Sequence, residues 1–135
     1  MVTGPPGKQS APRGHAARQT GEAAEQRALA HLLRQGLTLV TRNYRVARGP
    51  YARGGEIDLI LRERDGTLVF VEVRARGGRL HGGAAATIGA SKRRSLIHAA
   101  QHYLQRLPSL PPCRFDVVAI DGDQLQWLPG AFEAG

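Results

Sequence analysis

Two apolar runs each carry an acid where a core residue is expected: Glu56-Ile57-Asp58-Leu59-Ile60 and Leu68-Val69-Phe70-Val71-Glu72-Val73-Arg74. A carboxylate taken out of water must be paired or must coordinate something. Two such acids suit a hard divalent cation. Magnesium prefers oxygen ligands and keeps several waters, so two carboxylates and a backbone carbonyl suffice. Such an ion polarises a phosphoryl oxygen and lowers the pKa of a bound water, as phosphodiester hydrolysis requires. Arg74 shares the strand face of Glu72, two residues and roughly 6–7 Å along, and can stabilise charge developing on phosphorus. The bland alternative is that Asp58 satisfies backbone donors at a strand end while Glu72 pairs with Arg74 or Arg62.

The elements that must position these acids follow from periodicity. Residues 1–19 are rich in Gly, Pro, Ala and basic residues and read as a mobile tail. A helix is expected from Gly21 to Gln35, with Leu29, Leu32 and Leu33 on one stripe, Thr20 as N-cap and Gly36 as the stop. Glu25 projects into that stripe. Leu37–Val46, Glu56–Arg62 and Leu68–Arg74 read as strands, the last two joined by an Arg64-Asp65-Gly66-Thr67 hairpin turn and therefore antiparallel. Ala75–Thr87, with four glycines, reads as a flexible loop.

A second helix is expected over Ser91–Leu107. Its stripe is Leu96, Ala99, Ala100, Tyr103 and Leu107, with Lys92 near the centre line. Phe115–Ile120 and Gln124–Leu128 complete the set through an Asp121-Gly122-Asp123 turn. The order α-β-β-β-α-β-β makes an α/β fold, a mixed sheet flanked by helices. The domain is expected over 20–129, with 130–135 a short C-terminal tail. Glu25 and Lys92, charged residues on apolar helix faces, are expected to point toward the sheet and to join Asp58 and Glu72 on one face.

The chain has 135 residues, 41% of them hydrophobic, which suits one domain with a single core. No apolar run approaches the roughly 20 residues of a membrane span, so no membrane partner is expected. No secretory signal is evident at the N-terminus, and the lone Cys113 cannot form an internal disulfide; the default compartment is the cytoplasm. Net charge is +8, from nineteen Lys and Arg against eleven Asp and Glu, which favours polyanionic partners. Arg42, Asn43 and Arg45 cluster with Arg48, Arg53, Arg76, Arg79, Lys92, Arg93 and Arg94 near the loops around the acids as a phosphate-contacting rim, the other reading being solubilising charge.

Other residues carry blander readings. Glu56 divides between a solvent-facing residue and an auxiliary ligand, and Glu22 complements the helix dipole. His98 and His102 have the spacing of a helical metal pair but lie opposite the apolar stripe, with no third ligand evident. Cys113 reads as a buried small residue before a strand, and Asp116 as a structural strand residue.

Gly21-x-x-x-Glu25, Arg42-Asn43-x-Arg45, Gly55-Glu56-Ile57-Asp58-Leu59-Ile60, Val69-Phe70-Val71-Glu72-Val73-Arg74, Lys92 and Arg114-Phe115-Asp116-Val117-Val118 together resemble the YraN-like proteins. These are small bacterial proteins with a restriction-endonuclease-like fold, similar to archaeal Holliday-junction resolvases. The resemblance covers about Gly21 to Ile120, with the motifs in order and at their spacing. It implies a magnesium- or manganese-dependent endonuclease acting on DNA, branched DNA included. By position, Asp58 and Glu72 match the metal-binding acids and Glu25 the helical acid of the resolvase-like branch. Arg74 stands where many nucleases of this fold carry a catalytic lysine. Arginine cannot serve as a general base although it holds phosphate bidentately, and Lys92 is then the replacement from the helix. A non-catalytic nucleic-acid-binding module, or a protein-interaction factor, is the alternative. Junction resolvases act as symmetric dimers, so a homodimer follows by analogy.

Overall fold

A computed structural model describes residues 13–50, 54–76 and 88–134. Strand pairing organises it. β1 (Thr38–Val46), β2 (Gly55–Arg62), β3 (Leu68–Arg76), β4 (Cys113–Asp121) and β5 (Gln124–Phe132) lie side by side in chain order in one sheet. All neighbours are antiparallel except β3 and β4, which run parallel. A parallel pair needs a crossover, and α2 (Ala90–Leu104) lies between β3 and β4 in the chain. Helix α1 (Arg13–Arg34) precedes the strands. This is the α-β-β-β-α-β-β order that the periodicity predicts, with the architecture of a restriction-endonuclease-like fold.

The two helices cover opposite faces of the sheet. Ala24, Ala28, Leu29 and Leu32 of α1 pack on Leu59, Leu61, Val69, Val71, Val118 and Ile120. Leu96, Ala99, Ala100 and Tyr103 of α2 pack on Ile60, Leu68, Phe70 and Phe115. Alternate β3 residues thus bury on alternate faces, as a pleated strand dictates. The middle strands are sealed on both sides, and a charge among them is costly.

Local signals explain most of the boundaries. Gly36, at φ 102°, ends α1: its N–H donates to Leu33 and that of Leu37 to Leu32, the paired bonds of a Schellman stop. Gly66 (φ 95°) closes the β2–β3 hairpin, where the Thr67 N–H donates to Asp65 Oδ1 at 2.9 Å. Four expectations are corrected. Helix α1 begins at Arg13, so Thr20 lies inside it and not at its start. Leu33 is 46% exposed, because the face is set by Ala24, Ala28 and Leu32 and turns Leu33 away. Strand β5 runs to Phe132, whose ring stacks on Phe115 at 4.8 Å and so draws the start of the expected tail into the sheet. Cys113 opens β4 and is exposed.

Candidate functional site: a carboxylate pair where two strands part

Pairing between β2 and β3 stops at Leu59 and Val71. Asp58 and Glu72 are the next residues on each strand, while β3 continues to pair with β4 through Glu72, Val73 and Arg74. The acids therefore stand at a fork in the sheet. Parting leaves the Val73 N–H without a strand partner, and Asp58 Oδ2 accepts it at 2.8 Å. Alternation also breaks here, since Ile57 and Ile60 bury on the α2 face while Leu59 buries on the α1 face. A regular strand would have put Asp58 over the packed core; the fork places it in a cleft.

That cleft, about 500 Å³, is lined by Gly21, Ala24 and Glu25 of α1, by Asp58, Glu72 and Val73, and by Lys92 of α2. The four ionisable groups expected from the sequence do meet, but not on one sheet face. Since α1 and α2 cover opposite faces, Glu25 and Lys92 reach the fork from opposite sides. Among the described residues, no three acidic, His or Cys side chains form a preassembled metal cluster. The expected ligands Glu25, Asp58 and Glu72 all line this one cleft, Asp58 and Glu72 at the fork and Glu25 in the wall.

Glu72 is the least satisfied group. Its side chain is only 11% exposed, and its one described ion pair is Lys92 Nζ to Oε2 at 3.6 Å. The partner is Lys92, where the bland reading has Arg74 or Arg62. The other oxygen, Oε1, is buried with no hydrogen-bond donor. Burial first and the neighbouring Asp58 second push the Glu72 carboxyl up to about 7, against the opposing charges of Lys92 and Arg74. Burial also raises Asp58, more than the Val73 N–H and Lys92 lower it. Glu25 is raised by burial, by Asp58 and by Glu56, with Arg42 opposing. Each acid is thus held back from ionising, and the field inside the cleft is one a cation would relieve.

Gly55 explains how Lys92 is brought in. A Cβ there would lie 2.6 Å from the Ser95 carbonyl oxygen and 3.2 Å from the Ala99 Cβ. Only glycine lets the start of β2 approach α2 this closely. Gly21 is different: it sits inside a helix, where glycine costs about 1 kcal/mol relative to alanine. Among the described residues nothing stands within 4 Å of where its Cβ would be.

The expected phosphate rim divides. Arg45 pairs with Glu56 at 3.3 Å and is 73% exposed. Arg42 is exposed and reaches Gln26 at 3.4 Å; Asn43 is exposed at φ 51°. Arg93 is engaged structurally, donating to the Ile88 carbonyl at 2.9 Å and lying over the Phe132 ring. Arg74 and Lys92 line an adjoining 660 Å³ cleft with Glu72 and Gly89. Arg53 and Arg79 lie outside the described residues, as does nearly all of the glycine-rich loop, and Arg76 ends β3. Arg48, expected in the rim, and Ser95, not singled out by sequence reasoning, line a further groove beside Lys92. Only the pairing of the first two strands with α2 brings them there.

Asp116, expected to be structural, is fully buried and fully partnered. Arg114 binds it through Nε at 2.9 Å and Nη2 at 3.2 Å, the Trp127 indole at 2.9 Å and the Gly130 N–H at 2.9 Å. His102 is exposed, with Nδ1 2.6 Å from the Tyr44 hydroxyl. No described helix is long and apolar enough to cross a membrane.

Similar proteins match most of the chain. The chain is 65% identical over 114 residues to a UPF0102 protein of Methylibium petroleiphilum, covering 84% of this chain and 93% of that one. It is 60% identical over 133 residues to a UPF0102 protein of Paracidovorax citrulli, covering 95% and 96%. A UPF0102 protein of Acidovorax is 64% identical over 117 residues, 87% of this chain and 86% of its own. Residues 24–120 match the family described as "Uncharacterised protein family UPF0102". That span holds Glu25, Asp58, Glu72, Arg74 and Lys92 together, and the chain belongs to the UPF0102 family, that of the YraN-like proteins.

Proposed function

We propose that the protein is a metal-dependent nuclease-like domain that hydrolyses phosphodiester bonds of DNA, branched DNA among its substrates. The observation that carries this reading is Glu72 Oε1, a buried carboxylate oxygen with no donor among the described residues, beside a second, half-buried acid. The Lys92 ion pair engages only Oε2, at 3.6 Å, and an all-oxygen donor set fits a hard cation such as magnesium or manganese. Asp58 and Glu72 would hold it, with Glu25 adding negative charge from the cleft wall. When bound, the ion supplies Lewis-acid polarisation of a phosphoryl oxygen and an acidified water.

The chain's own side chains do the rest. Lys92, half-exposed above the carboxylates, and Arg74, in the adjoining cleft, stabilise negative charge on the phosphoryl group. Arg74 holds phosphate oxygens without moving a proton, and proton transfer falls to Lys92 or to water. The test uses purified protein with manganese on duplex, single-stranded and four-way-junction DNA. Cleavage by wild type that Asp58→Ala and Glu72→Gln abolish supports the reading.

The second reading, a non-catalytic nucleic-acid-binding module, is favoured by Arg74 at the position of a catalytic lysine. Salt-dependent binding of the same DNAs with no cleavage in manganese selects it over the first.

A further inference from the structure

Two grooves leave the carboxylate cleft, one on each side of the sheet, and their charges are opposite. Both share the Arg45–Glu56 ion pair, which stands between them as a neutral divide. Among the described residues, the groove on the α2 side, about 700 Å³, adds Arg48 and Lys92 to that pair and no further acid. Among the same residues, the groove on the α1 side, about 320 Å³, adds Glu22 and Glu25 and no further cation. Subtracting the shared pair leaves two cations on one flank and two carboxylates on the other.

We infer that the nucleic-acid strand enters along the α2 flank alone, its phosphates held by Arg48 and Lys92 over the Gly54-Gly55 start of β2, and that the acidic α1 flank excludes it. This rests on the nuclease reading above and adds to it the side of approach. Three observations converge. Lys92 lines the carboxylate cleft, the Arg74 cleft and the α2-side groove, so a strand in that groove passes directly over Glu72. The first turns of α2 carry Lys92, Arg93 and Arg94 with no acid, the reverse of what the helix dipole favours, and a bound polyanion compensates for that arrangement. On the other flank, Glu22, Glu25 and Glu56 line one groove, a concentration of carboxylates unfavourable to phosphate.

The test is a pair of added negative charges at exposed positions, one on each flank. Arg48→Glu lies in the α2-side groove; Gln26→Glu lies on α1, beside Arg42. Binding of labelled duplex and four-way-junction DNA is followed by fluorescence anisotropy in calcium across a salt series, with thermal melts to show that both variants fold. Arg48→Glu should weaken binding about tenfold or more and reduce the salt dependence by about one ion. Gln26→Glu should change affinity by less than about threefold. An equal or larger loss in Gln26→Glu overturns the assignment of the flank, as does unchanged binding in both variants. Each of those results leaves the nuclease reading standing. A wild type that binds neither DNA at low salt overturns both.

Discussion

Asp116, a buried carboxylate, and Glu72, a nearly buried one, lie on neighbouring strands, yet their surroundings are opposite. Asp116 receives four donor contacts, two from Arg114, one from Trp127 and one from Gly130, and has no exposed surface. Glu72 receives one long contact from Lys92 and shares a hydrogen bond with the Asp58 carboxyl, and among the described residues Oε1 has no partner. The first is a locked polar cluster that ties β5 to β4. The second is a charge the fold tolerates but does not satisfy. A satisfied buried charge reads as architecture, and an unsatisfied one beside a second acid reads as a site awaiting a ligand.

Substitution should separate the two sharply. Removing the Asp116 carboxylate strands the Trp127 indole and the Gly130 N–H and leaves the Arg114 guanidinium held by Glu63 alone. Asp116→Ala should therefore lose about 3–5 kcal/mol in urea unfolding. A loss under about 1 kcal/mol would dissolve the contrast.

Glu72→Gln should act with the opposite sign. The Glu72 carboxyl lies near 7 in the folded protein against an ordinary value of 4.5, so the native state holds its proton more tightly. That contribution is fully present below about pH 4.5 and is lost as pH rises through about 7. Glutamine stays neutral throughout. The variant should match wild type near pH 4 and exceed it at pH 8 by up to about 3 kcal/mol in metal-free buffer. Parallel unfolding curves at the two pH values measure it, and a gap that shrinks toward pH 8 would contradict the account.

Gly55→Ala probes how Lys92 is held near Glu72. Its Cβ would collide with the Ser95 carbonyl oxygen, so α2 must shift at a cost of about 1–3 kcal/mol. Because Lys92 opposes the upward shift of Glu72, withdrawing it should raise the Glu72 titration further, followed by carboxyl NMR. Gly21→Ala is the smallest test: with open space at the Cβ, it should stabilise α1 by up to about 1 kcal/mol. Destabilisation there would mean that the helix itself requires glycine.

Much of this arrangement was legible in the sequence because it depends on local periodicity. Alternation in Glu56–Arg62 and Leu68–Arg74, the Asp65-Gly66 turn and the stripe of α2 gave the element order and four residues of the site. The missing parts depend on register between elements. A single helix phase points Glu25 and Lys92 toward the sheet but does not say toward which face, so convergence was expected on one face and occurs through a fork. The fork exists because β2 and β3 stop pairing after Leu59 and Val71, and that cannot be read from either strand alone. Asp116 gained its meaning from Trp127 and Gly130, which only β5 pairing brings near. Arg114, two residues away on the same strand, was the one local signal of that role.

The central claim is that Asp58 and Glu72 form a cation site, and calorimetric titration with manganese near pH 6.5, in buffers of different ionisation enthalpy, tests it most directly. Wild type should bind the ion with release of a proton, since Glu72 is partly protonated there, and the Asp58→Ala, Glu72→Gln double variant should not bind. Equal affinity in the two proteins, or binding with no proton released, would contradict it.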